Sequence, residues 1–435
     1  MQAVIMAGGK GTRLASLTKD EIPKPMVSIL DKPLLQWQIE VLKENGITDI
    51  CFIIGYLGHV IKDYFQDGEK FGITTHYIEE KEPLGTAGAF YYLKDWLKEK
   101  SFFLIFGDVF FDIDMNRMKT FHIQNKADAT LFVHPNSHPF DSDLLNIEKS
   151  GRVLAFDSKH NVRNYWYHNC VNAGFYVLNS SICDYVMEPI KTDLEKDVLM
   201  KMLMEGKKVY GYQSPEYIKD IGTVERIAGT IEDITSGFIR KKCLKNRQKC
   251  IFLDRDGTIN QYRGLVSKED DFVLEDHVTQ AIGMINHSEW LCALVTNQPV
   301  IARGMCSIED VENIHKKMET LLGKEGVYLD DIEYCPHHPD KGFPEENPLY
   351  KISCHCRKPD IGMLEKSAEK YNIDLSQSWM VGDTTIDIQT GKNAGMKTAL
   401  VKTGVKGEDG KYSVKPDIEG NNLIEVIKQI IEQES

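Results

Sequence analysis

Short apolar runs along this chain alternate with segments whose apolar residues recur every three or four positions. Residues 3–6 predict a first strand that leads directly into a glycine-rich turn. Leu35, Ile39 and Leu42 then keep i, i+4, i+7 spacing, which predicts a helix that Gly46 stops. Residues 50–54 predict a buried strand, 60–65 a helix and 74–78 a strand. Residues 102–106 predict a strongly apolar strand ending at Gly107-Asp108.

The pattern restarts at Cys250-Ile251-Phe252-Leu253, with further short apolar runs at 292–295 and 379–381. These three runs end at polar residues: Asp254, Thr296-Asn297 and Gly382-Asp383. Ligands of open α/β sheets gather at the carboxyl ends of strands, so three such ends suggest one shared site. The alternation predicts an α/β chain of two doubly wound domains with mostly parallel sheets. Their expected bounds are 1–235 and 250–435, joined by a solvated basic linker over 236–249. No internal repeat is visible, and no hexapeptide β-helix repeat follows residue 235.

Composition narrows the function classes. At roughly 150 residues per domain, a chain of this length holds two or three domains. Hydrophobic residues are 42% and charged residues 27%, enough for ordinary cores and unlike a disordered chain. The net charge of −13 divides into −7 over 1–235, +6 over 236–249 and −12 over 250–435. Two acidic bodies lack the broad basic face of a nucleic-acid binder, so no nucleic-acid partner is expected. No long apolar run predicts a membrane span, and residues 3–6 leave no room for a secretory leader, so a cytoplasmic location is expected. A homo-oligomer is compatible with the sequence. Most of the ten cysteines read as reduced core residues.

The first chemical constellation is Ala7-Gly8-Gly9-Lys10-Gly11-Thr12-Arg13-Leu14, directly after the first strand. Its glycines let backbone amides approach phosphates, and Lys10 and Arg13 add charge to neutralise a polyphosphate. The run is neither a Walker loop nor a full dinucleotide fingerprint, and alone it is as consistent with a tight turn. Its company includes Lys24 in Pro23-Lys24-Pro25, the loop Glu82-Pro83-Leu84-Gly85-Thr86-Ala87-Gly88 and Asn172-Ala173-Gly174. Asp108 and Asp220 are two carboxylates suited to hold Mg²⁺. Singly, either reads equally as a helix cap or surface acid.

Together these residues resemble the sugar-1-phosphate nucleotidyltransferases over about 1–235, most closely those transferring guanylate to mannose- or heptose-1-phosphate. The resemblance implies a Rossmann-like domain. It implies nucleotide binding by Gly8, Gly9, Lys10, Gly11, Thr12, Gly85 and Thr86. Arg13 and Lys24 would stabilise charge on the α-phosphate and the leaving pyrophosphate. Asp108 and Asp220 would hold Mg²⁺, and Lys159, Asn172 and Gly174 would contact the sugar phosphate. Ser158-Lys159-His160 stands where the family often has Glu-Lys-Pro.

The second constellation is Asp254-Arg255-Asp256-Gly257-Thr258. Carboxylates at i and i+2 on a turn can face one pocket, one as nucleophile and the other as general acid and base. Thr296-Asn297, Arg357-Lys358-Pro359 and Gly382-Asp383-Thr384-Thr385-Ile386-Asp387 follow in order. Cys335-Pro336-His337 and Cys354-His355-Cys356 have the spacing of a closed Zn²⁺ site with ligands Cys335, His337, Cys354 and Cys356, while His338 and His355 offer alternative nitrogens.

The set resembles the haloacid-dehalogenase (HAD) phosphatases over about 250–405, and the cysteine pattern resembles the D,D-heptose 1,7-bisphosphate branch, with histidinol-phosphate phosphatases close by. The resemblance implies a Rossmannoid domain with a structural zinc loop. Asp254 would be the nucleophile and Asp256 the acid/base. Thr296 and Lys358 would hold the phosphoryl group, and Asn297, Arg303 and Arg357 would contact substrate. Mg²⁺ would bind Asp254, Asp383 and the backbone of Asp256, with Asp387 in outer support.

The two resemblances imply consecutive steps on small-molecule substrates. A phosphatase that removes the 7-phosphate of D-glycero-D-manno-heptose 1,7-bisphosphate would supply a heptose 1-phosphate, which a GTP-dependent guanylyltransferase would convert to GDP-heptose and pyrophosphate. Alternatives are a mannose-1-phosphate guanylyltransferase fused to a histidinol-phosphate-like phosphatase, and a ligand-sensing regulatory protein. Tyr165-Trp166-Tyr167 reads as a partly exposed segment before a sugar platform, and Met200, Met202 and Met204 read as helix packing.

Overall fold

A computed structural model describes residues 1–9 and 14–434. The chain divides into two compact units. The first comprises 1–134, 143–158 and 171–243; the second comprises 135–142, 159–170 and 244–435.

In the first unit, the strands Thr74–Glu79, Asp49–Ile54, Gln2–Ala7 and Ser101–Phe106 lie side by side in that order, all parallel. Each contains a run anticipated from the sequence. Residues 50–53 and 102–105 are buried without alternation, as strands covered on both faces must be. The expected first helix is Leu34–Glu44, which buries Leu34, Leu35, Ile39 and Leu42 and ends at Asn45, just before Gly46 with φ +75°. The sheet departs from the mostly parallel expectation. Strand Val171–Asn179 runs antiparallel to Ser101–Phe106, and the sheet reaches nine strands among the described residues. The added strands include Leu144–Ile147 and Val153–Asp157, a close antiparallel pair that needs no helical crossover.

The second unit keeps the expected parallel design. Its strands run Asp331–Cys335, Leu291–Asn297, Cys250–Leu253, Trp379–Gly382, Lys397–Val401 and Ile418–Gly420, every neighbouring pair parallel. Ile251 and Leu253 enter one core with helices Val278–Asn286, Ile308–Lys324 and Leu423–Glu434; Cys250 and Phe252 enter another with helix Gly362–Tyr371. That two-residue period is how a strand serves both faces of a covered sheet. Chain order reverses between Cys250–Leu253 and Trp379–Gly382, so the crevice beyond their carboxyl ends is the topological switch point. Asp254 and Asp383 follow directly on those two strands.

Two details differ from expectation in the connecting stretches. Segment 236–249 is not uniformly solvated: it carries helix Phe238–Lys242, and Ile239 packs with Ile221 and Ile227 in a first-unit core. Its basic residues had masked this apolar face. The segment 159–170 packs within the second unit, where the Trp166 indole donates to Glu269 (2.9 Å) and the Tyr167 amide to Thr320 (3.0 Å). Tyr165 is exposed, in keeping with the plainer reading of Tyr165-Trp166-Tyr167. In helix Met200–Met204, Met202 is buried and Met204 exposed. No helix among the described residues is long and apolar enough to cross a membrane.

Candidate active sites

At the switch point of the second unit, the Lys358 ammonium lies 2.7 Å from Asp254 Oδ1 and 2.5 Å from Asp387 Oδ1. All three side chains are nearly or fully shielded, with Lys358 at 3% exposure. A buried charge is tolerated only when paired, and this one cation is shared by two carboxylates. Burial, reinforced by Asp387 and Asp256 and opposed by Lys358, lifts Asp254 to about 6. Burial, then Asp254 and Asp387, lifts Asp383 to about 8.

One carboxylate oxygen from each of Asp254, Asp383 and Asp387 falls within 4.8 Å of the others. Asp383 Oδ2 accepts from the Val405 amide (2.6 Å), whereas the buried Asp383 Oδ1 meets no donor among the described residues. An all-oxygen cluster with an unmatched acceptor fits a hard cation such as Mg²⁺. Asp387 is already engaged, since its Oδ2 accepts from the Thr384 amide (3.1 Å) and hydroxyl (2.6 Å) and caps helix Thr385–Asn393. Glycine is required nearby: a Cβ on Gly257, which has φ +81°, would strike the Asp383 carboxylate.

The Asp256 carboxylate points to another set of partners. It accepts from Asn260 (3.1 Å), Gln298 (3.0 Å) and the Nε and Nη2 of the Arg255 guanidinium. Arg255 is fully buried, and it also donates to Gln298 Oε1 (2.9 Å). Arg255, Asn260 and Gln298 were not singled out from sequence; an arginine between two aspartates was their only signal. The Thr296 hydroxyl is buried and accepts from Gln298 (3.1 Å).

Asn297 bridges two chain segments. Its amide nitrogen donates to the Lys358 carbonyl (3.1 Å), and its amide oxygen accepts from the Lys358 N–H (3.0 Å). Two residues before Lys358, Cys356 lies in the Cys335, His337, Cys354, Cys356 cluster, whose ligand atoms fall within 4.8 Å of one another. The three sulfurs are 3.2–3.5 Å apart, and His337 Nδ1 is 3.4 Å from Cys356 Sγ and 3.7 Å from Cys335 Sγ. A disulfide requires about 2.05 Å. Four donors around one ion at about 2.0–2.3 Å would stand roughly 3.3–3.8 Å apart, so the spacing fits a tetrahedral metal site. Of the spare histidines, His355 bonds Glu365 (2.7 Å) and His338 faces Arg303 (3.3 Å). The Arg357 guanidinium donates to the His337 carbonyl (3.0 Å), and Arg303 stacks 4.4 Å above the Phe343 ring.

In the first unit, the Lys24 ammonium is 2.5 Å from Asp108 Oδ2 and 3.5 Å from Asp220 Oδ1, so the structure brings this predicted trio together. Strands Val109–Asp112 and Tyr217–Asp220 pair antiparallel and deliver both aspartates. Gln38, buried in helix Leu34–Glu44, donates to the carbonyls of Phe106 (3.0 Å) and Val109 (2.6 Å), fixing the turn at Asp108. Arg226 pairs with Asp220. Neither Gln38 nor Arg226 stood out in the sequence: Gln38 acts on a turn remote in the chain, and Arg226 reaches back from a helix to Asp220.

The glycine-rich loop is described only in part. Gly8 closely faces Glu80, where a Cβ would lie 2.5 Å from Oε2, and Gly9 is exposed. Lys10, Gly11, Thr12 and Arg13 lie outside the described residues. Gly85 has φ +77° and bridges to Thr192, and the Thr86 hydroxyl accepts from the Leu194 amide (2.7 Å). Asn172 and Gly174 begin strand Val171–Asn179, whereas Lys159 belongs to the segment that packs with the second unit.

Comparison with known proteins finds two families along the chain. Residues 2–237 match the Nucleotidyl transferase family and 355–426 the HAD-hydrolase-like family. The chain is 38% identical to the D-glycero-beta-D-manno-heptose-1,7-bisphosphate 7-phosphatase of Haemophilus ducreyi, covering 42% of this chain and 98% of that one. It is 36% identical to the D-glycero-alpha-D-manno-heptose 1-phosphate guanylyltransferase of Aneurinibacillus thermoaerophilus, covering 51% and 93%. The crystal structure of HddC from Yersinia pseudotuberculosis aligns at 27% identity, over 54% of this chain and 99% of that one, with a TM-score of 0.47. A lysine bridging two aspartates in one unit, and an aspartate–lysine pair at the switch point of the other, thus accompany near-complete matches of two kinds: the chain belongs to the nucleotidyl transferase family through residues 2–237, and to the family of HAD phosphatases that includes the H. ducreyi enzyme.

Proposed function

We propose that this chain is a two-activity enzyme that removes the 7-phosphate of D-glycero-D-manno-heptose 1,7-bisphosphate and couples the resulting heptose 1-phosphate to GTP, giving GDP-heptose and pyrophosphate. The observation that carries this reading is the presence, in one chain, of near-complete counterparts of a D-glycero-D-manno-heptose 1,7-bisphosphate 7-phosphatase and a D-glycero-D-manno-heptose 1-phosphate guanylyltransferase, named for the beta and the alpha anomer respectively. Both activities act on small sugar phosphates and nucleotides.

In the phosphatase reaction, an Asp254 oxygen attacks the 7-phosphorus and forms an aspartyl-phosphate. Asp256 gives its proton to the departing sugar oxygen. It then takes a proton from the water that attacks the phosphorus, which frees orthophosphate and restores Asp254. Lys358, already 2.7 Å from Asp254, and Thr296 hold the phosphoryl oxygens as charge moves. Arg255, Asn260 and Gln298 fix the Asp256 carboxylate. Asn297, Arg303 and Arg357 contact the rest of the substrate. Asp254 and Asp383, with the backbone at Asp256 and support from Asp387, hold Mg²⁺, which when bound screens the nucleophile from the phosphate dianion. Cys335, His337, Cys354 and Cys356 hold a structural Zn²⁺ that pins the loop leading to Arg357 and Lys358.

In the transferase reaction, a phosphate oxygen of the sugar 1-phosphate attacks the α-phosphorus of GTP and pyrophosphate leaves. The nucleophile is already an anion, so positioning and charge neutralisation supply the catalysis. Gly8, Gly9, Lys10, Gly11, Thr12, Gly85 and Thr86 seat the nucleotide, and Arg13 and Lys24 stabilise charge on the α-phosphate and the leaving pyrophosphate. Asp108 and Asp220 hold Mg²⁺. Asn172 and Gly174 contact the sugar phosphate.

Separating the half-reactions tests the assignment. Asp254→Asn should release no orthophosphate from the bisphosphate yet still make GDP-heptose from heptose 1-phosphate. Asp108→Asn should do the reverse. Loss of both activities in either variant would contradict two separate sites.

A further inference from the structure

Asp409 belongs to no motif in the sequence, yet it closes a loop around the acidic site of the second unit. The loop leaves strand Lys397–Val401 at its carboxyl end, where ligands of such sheets gather. It then touches the segments of the site in turn. The Thr403 hydroxyl donates to the Gly257 carbonyl (2.5 Å). Gly404 passes between Gly257 and Asp383, where a Cβ would strike both. The Val405 amide donates to Asp383 Oδ2 (2.6 Å) and the Gly407 amide to the Asp383 carbonyl (2.8 Å). Last, the Asp409 carboxylate accepts twice from Thr385, Oδ1 from the amide and Oδ2 from the hydroxyl, both at 2.7 Å. Thr385 opens helix Thr385–Asn393, whose first turn also carries Asp387.

Two features set this loop apart from an ordinary surface turn. Lys406 and Gly407 both have positive φ, +62° and +75°, and the Glu408 amide closes the turn on the Val405 carbonyl (3.0 Å). That is the pattern of a type I′ turn. A lysine adopts it at a cost, because its Cβ crowds the following carbonyl. Such a conformation persists where the contacts on either side over-determine it. Here those contacts are Val405 on Asp383 before the turn and Asp409 on Thr385 after it. The second feature is the strength of the closing contact. A carboxylate that accepts from an amide in the first turn of a helix makes a charge-assisted bond at the end of the helix that favours anions. Val405, whose amide sets the rotation of the Asp383 carboxylate, is thus held four residues from a firm anchor.

We propose that Asp409 is a positioning residue for the phosphatase: by latching the loop to Thr385, it holds the Val405 amide on Asp383 and keeps that carboxylate oriented for Mg²⁺. The inference rests on the phosphatase reading. Asp409 acts through Val405, and partners that orient a metal ligand in this way contribute to metal affinity.

Three measurements on the full chain test it. In wild type with Mg²⁺, the Val405 and Gly407 amides should exchange hydrogen at least 100-fold more slowly than in an unfolded chain. Exchange at the unfolded rate would overturn the proposal with no variant made. Mn²⁺, which suits the same oxygen ligands, is then titrated by electron paramagnetic resonance in an Asp108→Asn background that removes the proposed first-unit metal site. Adding Asp409→Ala should raise the dissociation constant roughly 10- to 100-fold and speed exchange at Val405. Adding Asp409→Asn, which keeps an acceptor for the Thr385 amide, should change it less than threefold. In the native background, Asp409→Ala should raise the Mg²⁺ concentration for half-maximal orthophosphate release by the same factor. Its kcat at saturating Mg²⁺ should stay within threefold of wild type, and GDP-heptose formation should be unchanged. An unchanged metal affinity in a folded Asp409→Ala protein would overturn the proposal. A fall in kcat that saturating Mg²⁺ does not restore would overturn it too. Absence of orthophosphate with wild type would defeat the phosphatase reading itself, whereas the titration needs no turnover.

Discussion

Asn297 grips the backbone of Lys358 through both its amide oxygen and its amide nitrogen, at 3.0 and 3.1 Å. A residue at the carboxyl end of one strand thereby fixes a cation that arrives on a loop from the cysteine–histidine cluster. The Lys358 ammonium is in turn committed to Asp254 and Asp387. The lysine is held from its backbone, from its charge and from the chain just ahead of it.

Asn297→Ala removes both backbone bonds while leaving every charged group in place. Two hydrogen bonds worth about 0.5–1.5 kcal/mol each predict a fall in phosphatase kcat of roughly 5- to 150-fold. Transferase rates should not change. Steady-state assays of both activities on one preparation check this.

Lys358→Ala should cost far more. It deletes the cation and leaves Asp254 and Asp387 buried without it, the kind of loss that costs about 3–5 kcal/mol when a buried pair is broken. Orthophosphate release should drop roughly 150- to 5,000-fold by the same conversion, with a lower Tm of the second unit in a calorimetric scan.

The cysteine–histidine cluster should carry one Zn²⁺ per chain, measurable by elemental analysis of the purified protein. Cys354→Ser or Cys356→Ser should lose that ion, lower Tm and cut phosphatase activity, because the loop into Lys358 loses its anchor. Full activity in a metal-free Cys356→Ser protein would remove the cluster from the account.

In the first unit, Lys24→Met leaves Asp108 and Asp220 facing each other without the ammonium they share. GDP-heptose formation should fall at least 100-fold, since charge neutralisation at the phosphates is the main source of rate. Phosphatase turnover on the same sample should remain within twofold.

Much of this was legible in the sequence because it depends on local order. The strand runs 50–54 and 102–106, the helix stop at Gly46 and the strand ends at Asp254, Asn297 and Asp383 are set by neighbours in the chain. The partners of Asp256 were not legible. Gln298 carries no charge to mark it, and Arg255 reads as a surface residue until the fold buries it against His315 and Gln298. Asp409 meets Thr385 across 24 residues of chain. The mixed sheet was missed because an antiparallel strand such as Val171–Asn179 has the same apolar run as a parallel one. The helix Phe238–Lys242 was hidden by its charge: Ile239 is one buried apolar residue in a basic stretch.

The central claim is that one chain performs two consecutive reactions, and a single incubation tests it most directly. Wild-type protein, Mg²⁺, GTP and D-glycero-D-manno-heptose 1,7-bisphosphate would be mixed, with orthophosphate, pyrophosphate and nucleotide sugar followed by mass. The two named relatives differ in anomer, beta for the phosphatase and alpha for the transferase, so both bisphosphate anomers belong in the experiment. Consecutive action predicts equal amounts of orthophosphate, pyrophosphate and GDP-heptose from the alpha anomer, with no nucleotide sugar when ATP, CTP or UTP replaces GTP. Orthophosphate without GDP-heptose from either anomer would contradict the account.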